Sequence, residues 1–451
     1  MRPPMPPLAI IVLAAGQGTR MKSDLHKVLH PLAGRPMLLH LLAAAVELQP
    51  ERMVVVAGAR AEQIEAAVKP LGVEVVLQRE QLGTGHAVRQ AQDALAGFAG
   101  DVLVLYGDVP FVTTATMERM RARLGGKRAP GVVVLGFRPA DPAAYGRVLS
   151  DGDTVTAIVE YKDATPQERA VTLCNSGLMA LRAPDLWNWL ATVGNDNAVG
   201  EYYLTDIVAS AAATGTTSVV IEADAIEVAG VNSRAELAAL EAGWQAQRRA
   251  AAMRDGATLV APDTVWFSWD TQLGRDVTVE PNVVFGPGVT VADGVAIRAF
   301  SHVTGATIGS GCEVGPYARL RPGAVLEAKA KVGNFVEVKK ARLGAGAKAN
   351  HLSYLGDVDI GANANIGAGT ITCNYDGYLK YRTTIGEGAF IGSNSALVAP
   401  VTIGAGAIVG AGGVVTRDVA PDALALIRPV QCEKPGWAAK FRRLMQAKKA
   451  G

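Results

Sequence analysis

The chain has 451 residues, of which 49% are hydrophobic, and this content excludes a largely disordered protein. Its 44 basic and 42 acidic residues leave a net charge of +2, so the charge balance gives no basis for expecting nucleic acid as a partner. The four cysteines form no CxxC pair and no metal-ligand spacing, which favours free thiols in a reducing cytoplasm.

The first half of the chain alternates short apolar runs with helical patterns. The runs, which have the length and composition of buried strands, lie at 8–15, 53–57, 73–77, 102–106 and 132–137. The helical patterns between them lie at 36–48, 61–68, 84–95 and 114–124. This alternation predicts an α/β fold of the Rossmann-like type, with a mostly parallel sheet and ligands at the carboxyl ends of its strands.

The first apolar run leads directly into a Gly-rich loop, so we interpret it as a strand and not as a signal peptide. No stretch is long and apolar enough to predict a membrane span. Gly16 and Gly18 let backbone N–H groups approach a polyphosphate, and Arg20 and Lys27 follow as cations. The loop matches neither the GxxxxGK[ST] pattern nor the three-glycine dinucleotide fingerprint. Asp108 follows the run at 102–106, at the strand end where a ligand-binding residue is expected, although a turn or N-cap role is the default for an isolated Asp in a loop.

Residues 234–254 have the pattern of one charged, Ala-rich helix, and the sequence beyond them changes character. Apolar residues then recur every six positions, with one slip of a single residue and one interruption. The repeat positions are Leu273, Val279, Phe285, Val291, Ile297, Val303, Ile308, Val314, Leu320, Leu326, Val332, Val338, Ile385, Ile391, Leu397, Ile403, Val409 and Val415. This hexapeptide pattern predicts a β-helix in which three hexads form one coil.

The six-residue phase breaks at His351 and again at 370–378, which predicts a projecting loop. Arg321 and Lys339 are eighteen positions apart, the length of one coil, so we expect them to stack on one corner. Like charges at the strand spacing of roughly 4.8 Å favour an anion beside them, for which a sugar phosphate is a candidate. A histidine that satisfies a corner hydrogen bond and two solvated cations are the alternatives that the residues alone leave open.

Both halves carry further motifs. They are the segments at 13–21, 25–29, 78–87, 106–110, 145–147, 158–163, 175–177, 200–206, 230–232, 334–340, 349–357 and 370–378. Over nearly the whole chain they resemble the bacterial bifunctional N-acetylglucosamine-1-phosphate uridyltransferase and glucosamine-1-phosphate acetyltransferase family. The resemblance implies a nucleotidyltransferase domain at 1–233, a connector helix at 234–255 and a left-handed β-helix acetyltransferase domain with its C-terminal tail at 256–451.

By this resemblance, Arg20 and Lys27 are the catalytic cations of uridylyl transfer, and Asp108 and Asn232 bind Mg²⁺. The residues implied to hold the nucleotide and the sugar phosphate are Leu13, Ala14, Ala15, Gly16, Lys27, Gln78, Gly83, Thr84, Tyr106, Gly107, Asp108, Gly146, Glu160, Asn175 and Asn232. The chain departs from the family at two loop positions, with Gln17 where Lys is usual and His26 where Pro is usual.

In the second half the resemblance implies His351 as the general base, and we expect Glu337 to orient it. The residues implied to bind glucosamine-1-phosphate are Arg321, Lys339, Tyr354 and Asn365. Those implied to contact acetyl-CoA, the co-substrate, are Ala368, Asn374, Tyr375, Ser393, Ala411 and Arg428. The family implies a cytoplasmic homotrimer with CoA between its subunits.

The expected activity is acetyl transfer to glucosamine-1-phosphate, followed by uridylyl transfer from UTP to N-acetylglucosamine-1-phosphate with release of pyrophosphate. The product, UDP-N-acetylglucosamine, feeds peptidoglycan and lipopolysaccharide synthesis. Neither nucleic acid nor a membrane is expected as a partner. A monofunctional sugar-nucleotide pyrophosphorylase with a regulatory β-helix is the alternative, but it needs no base in the solenoid. A non-catalytic scaffold would need neither the Gly-rich loop nor Asp108.

Overall fold

The computed structural model describes residues 6–125, 129–427 and 430–450. The chain forms two compact units, Met1–Gln247 (unit 1) and Arg248–Gly451 (unit 2), and the division falls within the long helix Arg234–Arg254. Among the described residues, no helix combines the length and the apolar character needed to cross a bilayer.

Unit 1 is built on a nine-stranded sheet, which confirms the predicted α/β fold. The prediction of a mostly parallel sheet is wrong, because four of the eight neighbouring strand pairs are antiparallel. Its strands are β1 Leu8–Ala14, β2 Arg52–Ala57, β3 Glu74–Leu77, β4 Asp101–Tyr106, β5 Val132–Phe137, β6 Arg147–Asp151, β7 Thr154–Val159, β8 Cys174–Arg182 and β9 Ser218–Glu222. Their order across the sheet is β3-β2-β1-β4-β8-β5-β9-β7-β6. Strands β2, β1 and β4 are parallel, and β8 runs antiparallel to both β4 and β5. A short hairpin, Pro31–Leu32 with Arg35–Pro36, lies apart from the sheet.

The described residues form nine α-helices. They are α1 Met37–Val46, α2 Ala61–Val68, α3 Thr84–Arg89, α4 Thr114–Leu124, α5 Pro166–Arg169, α6 Ala183–Thr192, α7 Ile207–Ala213, α8 Arg234–Arg254 and, in unit 2, α9 Trp437–Ala450. Single 3₁₀ turns lie at Thr19–Met21, Lys27–Leu29, Lys69–Leu71, Leu204–Asp206 and Pro262–Thr264. Alternate residues of β1 enter two different cores, Ile11 and Leu13 in one and Ile10 and Val12 in the other, because successive strand side chains point to opposite faces.

The helix predicted at 84–95 is shorter than expected, since α3 ends at Arg89. The chain continues in tighter turns, with hydrogen bonds from Ala91 N to Val88 O and from Phe98 N to Leu95 O. The first strand and the fourth end side by side, with Leu13 paired to Tyr106. This pairing brings the Gly-rich loop and the loop of Asp108 to one edge of the sheet.

Unit 2 is a three-sided parallel β-helix, as the hexapeptide period predicts. Face 1 contains Thr258–Leu259, Thr278–Val279, Ala296–Ile297, Glu313–Val314, Lys331–Asn334, Lys348–His351, Asn365–Ile366, Phe390–Ile391, Ile408–Val409 and Leu424–Ala425. Face 2 contains Val284–Phe285, His302–Val303, Arg319–Leu320, Glu337–Lys339, Tyr354–Gly356, Ile371–Cys373, Ala396–Val398 and Val414–Val415. Face 3 contains Gln272–Leu273, Thr290–Val291, Ala306–Ile308, Ala324–Leu326, Arg342–Leu343, Val358–Ile360, Thr383–Ile385 and Val401–Ile403.

One aliphatic side chain per strand fills the interior of the β-helix, and Val279, Ile297 and Val314 are each fully buried. The coils differ in length: Thr278 pairs with Ala296, eighteen residues on, whereas Ala296 pairs with Glu313, one residue short of that spacing. This is the slip that the sequence pattern predicts. Residues 374–382 leave the β-helix between Cys373 and Thr383, which confirms a loop here but places it four residues later than the predicted 370–378, because Ile371–Cys373 form a strand. All four cysteines are free, as expected.

Candidate active sites

A cavity of about 300 Å³ opens where β1 and β4 end. Ten of the residues that the family resemblance assigns to the nucleotide and the sugar phosphate lie on its wall, namely Leu13, Ala14, Ala15, Gly16, Lys27, Gln78, Gly83, Thr84, Tyr106 and Asp108. The wall also includes Gln81 and Glu201, which the sequence analysis did not single out. Gln81 Nε2 donates to the backbone oxygen of Ala15, at 2.8 Å, and so ties the two loops of the cavity together.

A cation and two side-chain oxygens meet at the edge of this cavity. Lys27 Nζ lies 2.6 Å from Asp108 Oδ2 and 3.0 Å from Asn232 Oδ1. The hydrogen bond from Val231 N to Asp108 O, at 3.0 Å, holds the chain segment of Asn232 against the loop of Asp108. The Lys27 and Asp108 side chains are 11% and 17% exposed, so this ion pair is only weakly screened by solvent.

The residues assigned to the sugar form a second group. Asn175 N donates to Gly146 O at 2.9 Å, and a Cβ on Gly146 would lie 3.2 Å from Glu160 Oε2. Burial raises the pKa of the Glu160 carboxyl, an effect that its hydrogen bond from Thr205 partly opposes. Burial likewise raises the pKa of Tyr106, so its hydroxyl stays protonated. The group therefore offers the oxygens of the Glu160 carboxyl and the protonated hydroxyl of Tyr106 to a polyol.

Gly83 forms the lip of the cavity, with a φ of 106° that side chains rarely adopt. A Cβ there would lie 2.6 Å from Tyr202 O and 2.8 Å from Tyr202 N. The loop of Tyr202 is bonded to this lip at two points, from Tyr202 N to Leu82 O and from Gly85 N to Tyr202 O, each at 2.8 Å. A side chain at Gly83 must therefore displace backbone that is itself held in place.

We accordingly expect Gly83→Ala to weaken UTP binding, because the clash moves the lip that forms part of the cavity wall. The expected result is a KM for UTP raised about tenfold and unit 1 destabilised by roughly 1–3 kcal/mol, measured by steady-state kinetics and chemical denaturation. Gly72→Ala is the matched control, since Gly72 also has a positive φ but no atom within 4 Å of an added Cβ. Equal effects of the two substitutions would contradict the role assigned to the clash.

Arg20, the other predicted catalytic cation, and His26, one of the two departures from the family, also lie off this wall. Arg20 is exposed, in the 3₁₀ turn Thr19–Met21, and its guanidinium forms no hydrogen bond or ion pair within the described part of the chain. Its catalytic role stays a prediction. His26 is 3% exposed and its Nδ1 accepts from Val28 N at 3.4 Å, so it caps the 3₁₀ turn that begins at Lys27. Burial lowers the pKa of His26 to about 4, which keeps the ring neutral.

At the corner between face 1 and face 2 of unit 2, one residue of each coil lies directly over the equivalent residue of the next coil. We call Asn334, His351, Ala368, Ser393 and Ala411 the corner column. Backbone hydrogen bonds fix their succession, from Leu352 N to Asn334 O, Gly369 N to His351 O, Asn394 N to Ala368 O and Gly412 N to Ser393 O. Neighbouring members are thus about 4.8 Å apart, the spacing of paired strands. The corner column thus contains the predicted base, His351, and three of the predicted acetyl-CoA contacts, Ala368, Ser393 and Ala411.

The prediction that Glu337 orients His351 is wrong. His351 Nδ1 lies 2.6 Å from Asn334 Oδ1, whereas Glu337 Oε1 accepts from Arg321 at 2.7 Å. Asn334 pairs directly with His351, seventeen residues on, because this coil is one residue short. An eighteen-residue spacing counted back from His351 gives Gly333 instead, which is why the sequence analysis missed Asn334. Since an amide oxygen only accepts, His351 carries its proton on Nδ1 and leaves Nε2 able to accept one.

Arg321 and Lys339 occupy successive coils of face 2, as predicted. Leu320 pairs with Val338, and Arg321 N donates to Val338 O at 2.8 Å, which puts Arg321 level with Lys339. Lys380 of the projecting loop adds a third cation, and its ammonium, together with Arg321, lowers the pKa of Lys339. Three cations gathered in this way are well placed for a phosphate dianion, and the sequence analysis had missed Lys380.

The other assigned positions are spread around this corner. Tyr354 pairs with Glu337 on face 2, whereas Asn365 lies on face 1, paired with Lys348 and Phe390. In the projecting loop, the buried Asn374 donates to Asp357 at 2.5 Å, while Tyr375 is 58% exposed. Arg428 lies outside the described residues.

Comparison with known proteins agrees with both halves of this description. Residues 10–164 match the model of the MobA-like NTP transferase domain, and residues 270–305 and 382–417 match that of the bacterial transferase hexapeptide (six repeats). The bifunctional protein GlmU of Sphingopyxis alaskensis is 68% identical, with 98% of each chain covered, and that of Rhizorhabdus wittichii is 68% identical with the same coverage. That of Paramagnetospirillum magneticum is 58% identical, again with 98% of each chain covered. The chain therefore belongs to the family of the bifunctional GlmU proteins.

Proposed function

We propose that the protein makes UDP-N-acetylglucosamine in two steps at two separate sites. Unit 2 transfers the acetyl group of acetyl-CoA to glucosamine-1-phosphate, and unit 1 then transfers the uridylyl group of UTP to N-acetylglucosamine-1-phosphate and releases pyrophosphate. The observation that carries this proposal is that one β-helix holds both the His351–Asn334 pair and a group of three cations, Arg321, Lys339 and Lys380. A monofunctional pyrophosphorylase with a regulatory β-helix has no use for such a site. Since acetyl-CoA and UTP are cytoplasmic metabolites, we place the enzyme in the cytoplasm.

Unit 1 performs the second step by positioning and charge neutralisation. A phosphate oxygen of N-acetylglucosamine-1-phosphate attacks the α-phosphorus of UTP, the bond to the β-phosphate oxygen breaks, and pyrophosphate leaves. The attacking group is already an anion, so no protein base is needed. Lys27, on the cavity wall, and Arg20, in the preceding turn, offset the negative charge that develops on the transferred phosphate.

Asp108 and Asn232 fit a magnesium ion. Their side-chain oxygens both face one cationic centre, Lys27 Nζ, at 2.6 and 3.0 Å, and are hard ligands of the kind that Mg²⁺ prefers. Two protein oxygens suffice, because Mg²⁺ usually completes its shell with waters and phosphate oxygens. When bound, the ion would neutralise phosphate charge, and Asp108 would then be shared between it and Lys27.

Unit 2 performs the first step by general-base catalysis. His351 donates its Nδ1 proton to Asn334, so Nε2 can take a proton from the amine of glucosamine-1-phosphate as that amine attacks the acetyl carbonyl carbon. The C–S bond breaks, and the proton passes from His351 to the departing CoA thiolate. Arg321, Lys339 and Lys380 hold the phosphate, while Ala368, Ser393 and Ala411 continue the corner column along which CoA would extend.

One experiment tests the proposal directly. The purified protein is given acetyl-CoA, glucosamine-1-phosphate, UTP and Mg²⁺. It should release free CoA thiol and pyrophosphate and form UDP-N-acetylglucosamine, which is measured by chromatography. Omission of acetyl-CoA should stop product formation from glucosamine-1-phosphate but not from N-acetylglucosamine-1-phosphate. Formation of nucleotide sugar without any acetyl transfer would instead favour the monofunctional alternative.

We also propose that the protein works as a homotrimer, and an apolar strip beside the corner column supports this. The strip consists of Phe300, Tyr317, Phe335 and Leu352, which are 47–59% exposed. The Tyr317 ring stacks between those of Phe300 and Phe335, with ring centroids 4.9 and 5.2 Å apart. All four residues of the strip have φ between 51° and 59°. Other coils have Asn or Gly at the same position, and these residue types adopt such a φ more readily; they are Asn282, Gly369, Asn394 and Gly412.

Bulky apolar residues that are both strained and exposed persist where a partner compensates for them. The strip ends at Leu352, next to His351, on a convex corner that cannot enclose a substrate by itself. A second copy of the chain against this strip would supply the missing wall, in line with the family's subunit-interface CoA site.

The double substitution Tyr317→Asn and Phe335→Asn tests the strip, because Asn suits the positive φ and removes only the apolar surface. We expect light scattering to give a particle near the 46.9 kDa of one chain instead of three times that mass. Acetyl transfer should fall at least tenfold, while uridylyl transfer and the melting temperature of unit 1 stay unchanged. An intact trimer with normal acetyl transfer would rule out the strip as the interface.

A further inference from the structure

The amide of Gln78 is fixed in one orientation on the wall of the unit 1 cavity. Gln78 is 4% exposed, and its Nε2 lies 3.0 Å from the backbone oxygen of Gly83 and 3.1 Å from His86 Nδ1. A carbonyl oxygen can only accept, so the NH₂ end of the amide must face Gly83. Its second N–H then points at His86.

The amide oxygen of Gln78 consequently faces the other way. Within the described residues it accepts no hydrogen bond, and it is not among their buried unpaired atoms, so it is open to the cavity. A ligand in the cavity therefore meets an acceptor at this point and not a donor.

His86 supplies the second of the two contacts that set this orientation. It accepts at Nδ1, which leaves its proton on Nε2, since a neutral imidazole accepts at only one nitrogen. His86 Nε2 faces the half-exposed Gln90. The amide nitrogen of Gln90 lies 3.2 Å from His86 Nε2 and 3.1 Å from the His86 backbone oxygen. At this half-exposed position the Gln90 amide can turn its oxygen to the ring, because solvent can replace the hydrogen bond that its NH₂ then gives up to the His86 backbone oxygen. No comparable freedom exists for the buried Gln78.

We infer that His86 is a positioning residue that sets the base preference of the uridylyl-transfer site through Gln78. A uracil ring carries an N–H between its two carbonyl groups, which an acceptor oxygen on Gln78 matches. Cytosine has an unprotonated ring nitrogen at the same place, so two acceptors would face each other. The inference rests on the proposed function, because it takes a nucleoside triphosphate as the occupant of this cavity.

Loss of His86 would leave Gly83 as the only group that opposes rotation of the Gln78 amide. The rotated amide presents its NH₂ to the base, which suits cytosine and not uracil. The discrimination between UTP and CTP should therefore fall by about tenfold, the factor associated with losing one hydrogen bond of this kind. The effect is on selectivity, and it differs from a general loss of activity.

The experiment compares kcat/KM for UTP and for CTP, each with N-acetylglucosamine-1-phosphate and Mg²⁺, in wild type and three variants. His86→Phe keeps the ring shape but removes the acceptor, and should lower the UTP-to-CTP ratio about tenfold. His86→Asn places an amide oxygen near the position of Nδ1 and should largely restore the ratio. His86→Gln places its oxygen nearer the position of Nε2 and should not. Acetyl transfer by unit 2 and thermal melting are followed in each variant.

If His86→Phe lowers kcat/KM equally for both nucleotides, or leaves the ratio within twofold of wild type, His86 does not set the preference. Equal ratios in the Asn and Gln variants would also overturn the inference. Failure of the wild type to use any nucleoside triphosphate would count against the proposed function itself, so the two failures are distinguishable.

Discussion

Replacing His351 by alanine is expected to lower acetyl transfer by about 10²–10⁴-fold while uridylyl transfer from N-acetylglucosamine-1-phosphate stays at the wild-type rate. The amine of glucosamine-1-phosphate attacks the thioester only as its proton leaves, and His351 Nε2 is the acceptor that the structure makes available. Its other nitrogen is held by Asn334 Oδ1 at 2.6 Å. The measurement is release of CoA thiol, followed with a thiol reagent, beside release of pyrophosphate in the same preparation.

Asn334→Ala separates orientation from proton transfer. Without Asn334 the exposed His351 ring can rotate and exchange tautomers, so kcat for acetyl transfer should fall about tenfold. The remaining activity should still require His351 as the base. His302→Ala is the matched control, since His302 is also an exposed histidine of the β-helix but lies on face 2. Normal acetyl transfer in His351→Ala would show that the corner column is not the acetyl-transfer site.

The second large effect is expected for Asp108→Ala, which should lower uridylyl transfer by at least 10²–10³-fold and leave acetyl transfer unchanged. The substitution removes a proposed Mg²⁺ ligand and the 2.6 Å ion-pair partner of Lys27, so that ammonium loses its position at the cavity edge. Titration with Mg²⁺ at saturating UTP distinguishes the two contributions. A lost ligand raises the metal concentration needed for half-maximal rate, whereas a displaced Lys27 lowers kcat at saturating metal.

Asp153→Ala is the control for a general effect of removing a carboxylate from unit 1, since the Asp153 side chain is 61% exposed and pairs only with Arg123 among the described residues. Arg20→Ala should also impair uridylyl transfer alone, although Arg20 is exposed in the free protein. Wild-type pyrophosphate release in Asp108→Ala would exclude Asp108 from the site.

Much of the fold follows from periodicity, because burial of one side chain per repeat is a local requirement. In the β-helix each hexad must place an aliphatic residue inside the prism, so Val279, Ile297 and Val314 are identifiable from spacing alone. In unit 1 the apolar runs that became β1 and β4 could be recognised in the same way. The two expected reactions and their site residues followed from the resemblance of the motifs to the family. They could not be inferred from the spacing of apolar residues.

The contacts between side chains distant in sequence could not be predicted with the same certainty. The sequence pointed to Glu337 as the partner of His351, but a coil one residue short brings Asn334 opposite the ring and leaves Glu337 to Arg321. Likewise Lys380 of the projecting loop lies close enough to Lys339 to lower its pKa, a contact that the spacing of the repeats does not predict.

For this protein the sequence by itself determined the two architectures, the Gly-rich loop and the hexapeptide period, because each depends on residues close together along the chain. Only the tertiary structure decided which groups meet: Lys27 with Asp108 and Asn232, His351 with Asn334, and Gln78 with His86. The physical reason is that a hydrogen bond depends on register and orientation to within a fraction of an ångström. One residue more or less in a coil, which the hydrophobic pattern tolerates, changes the partner.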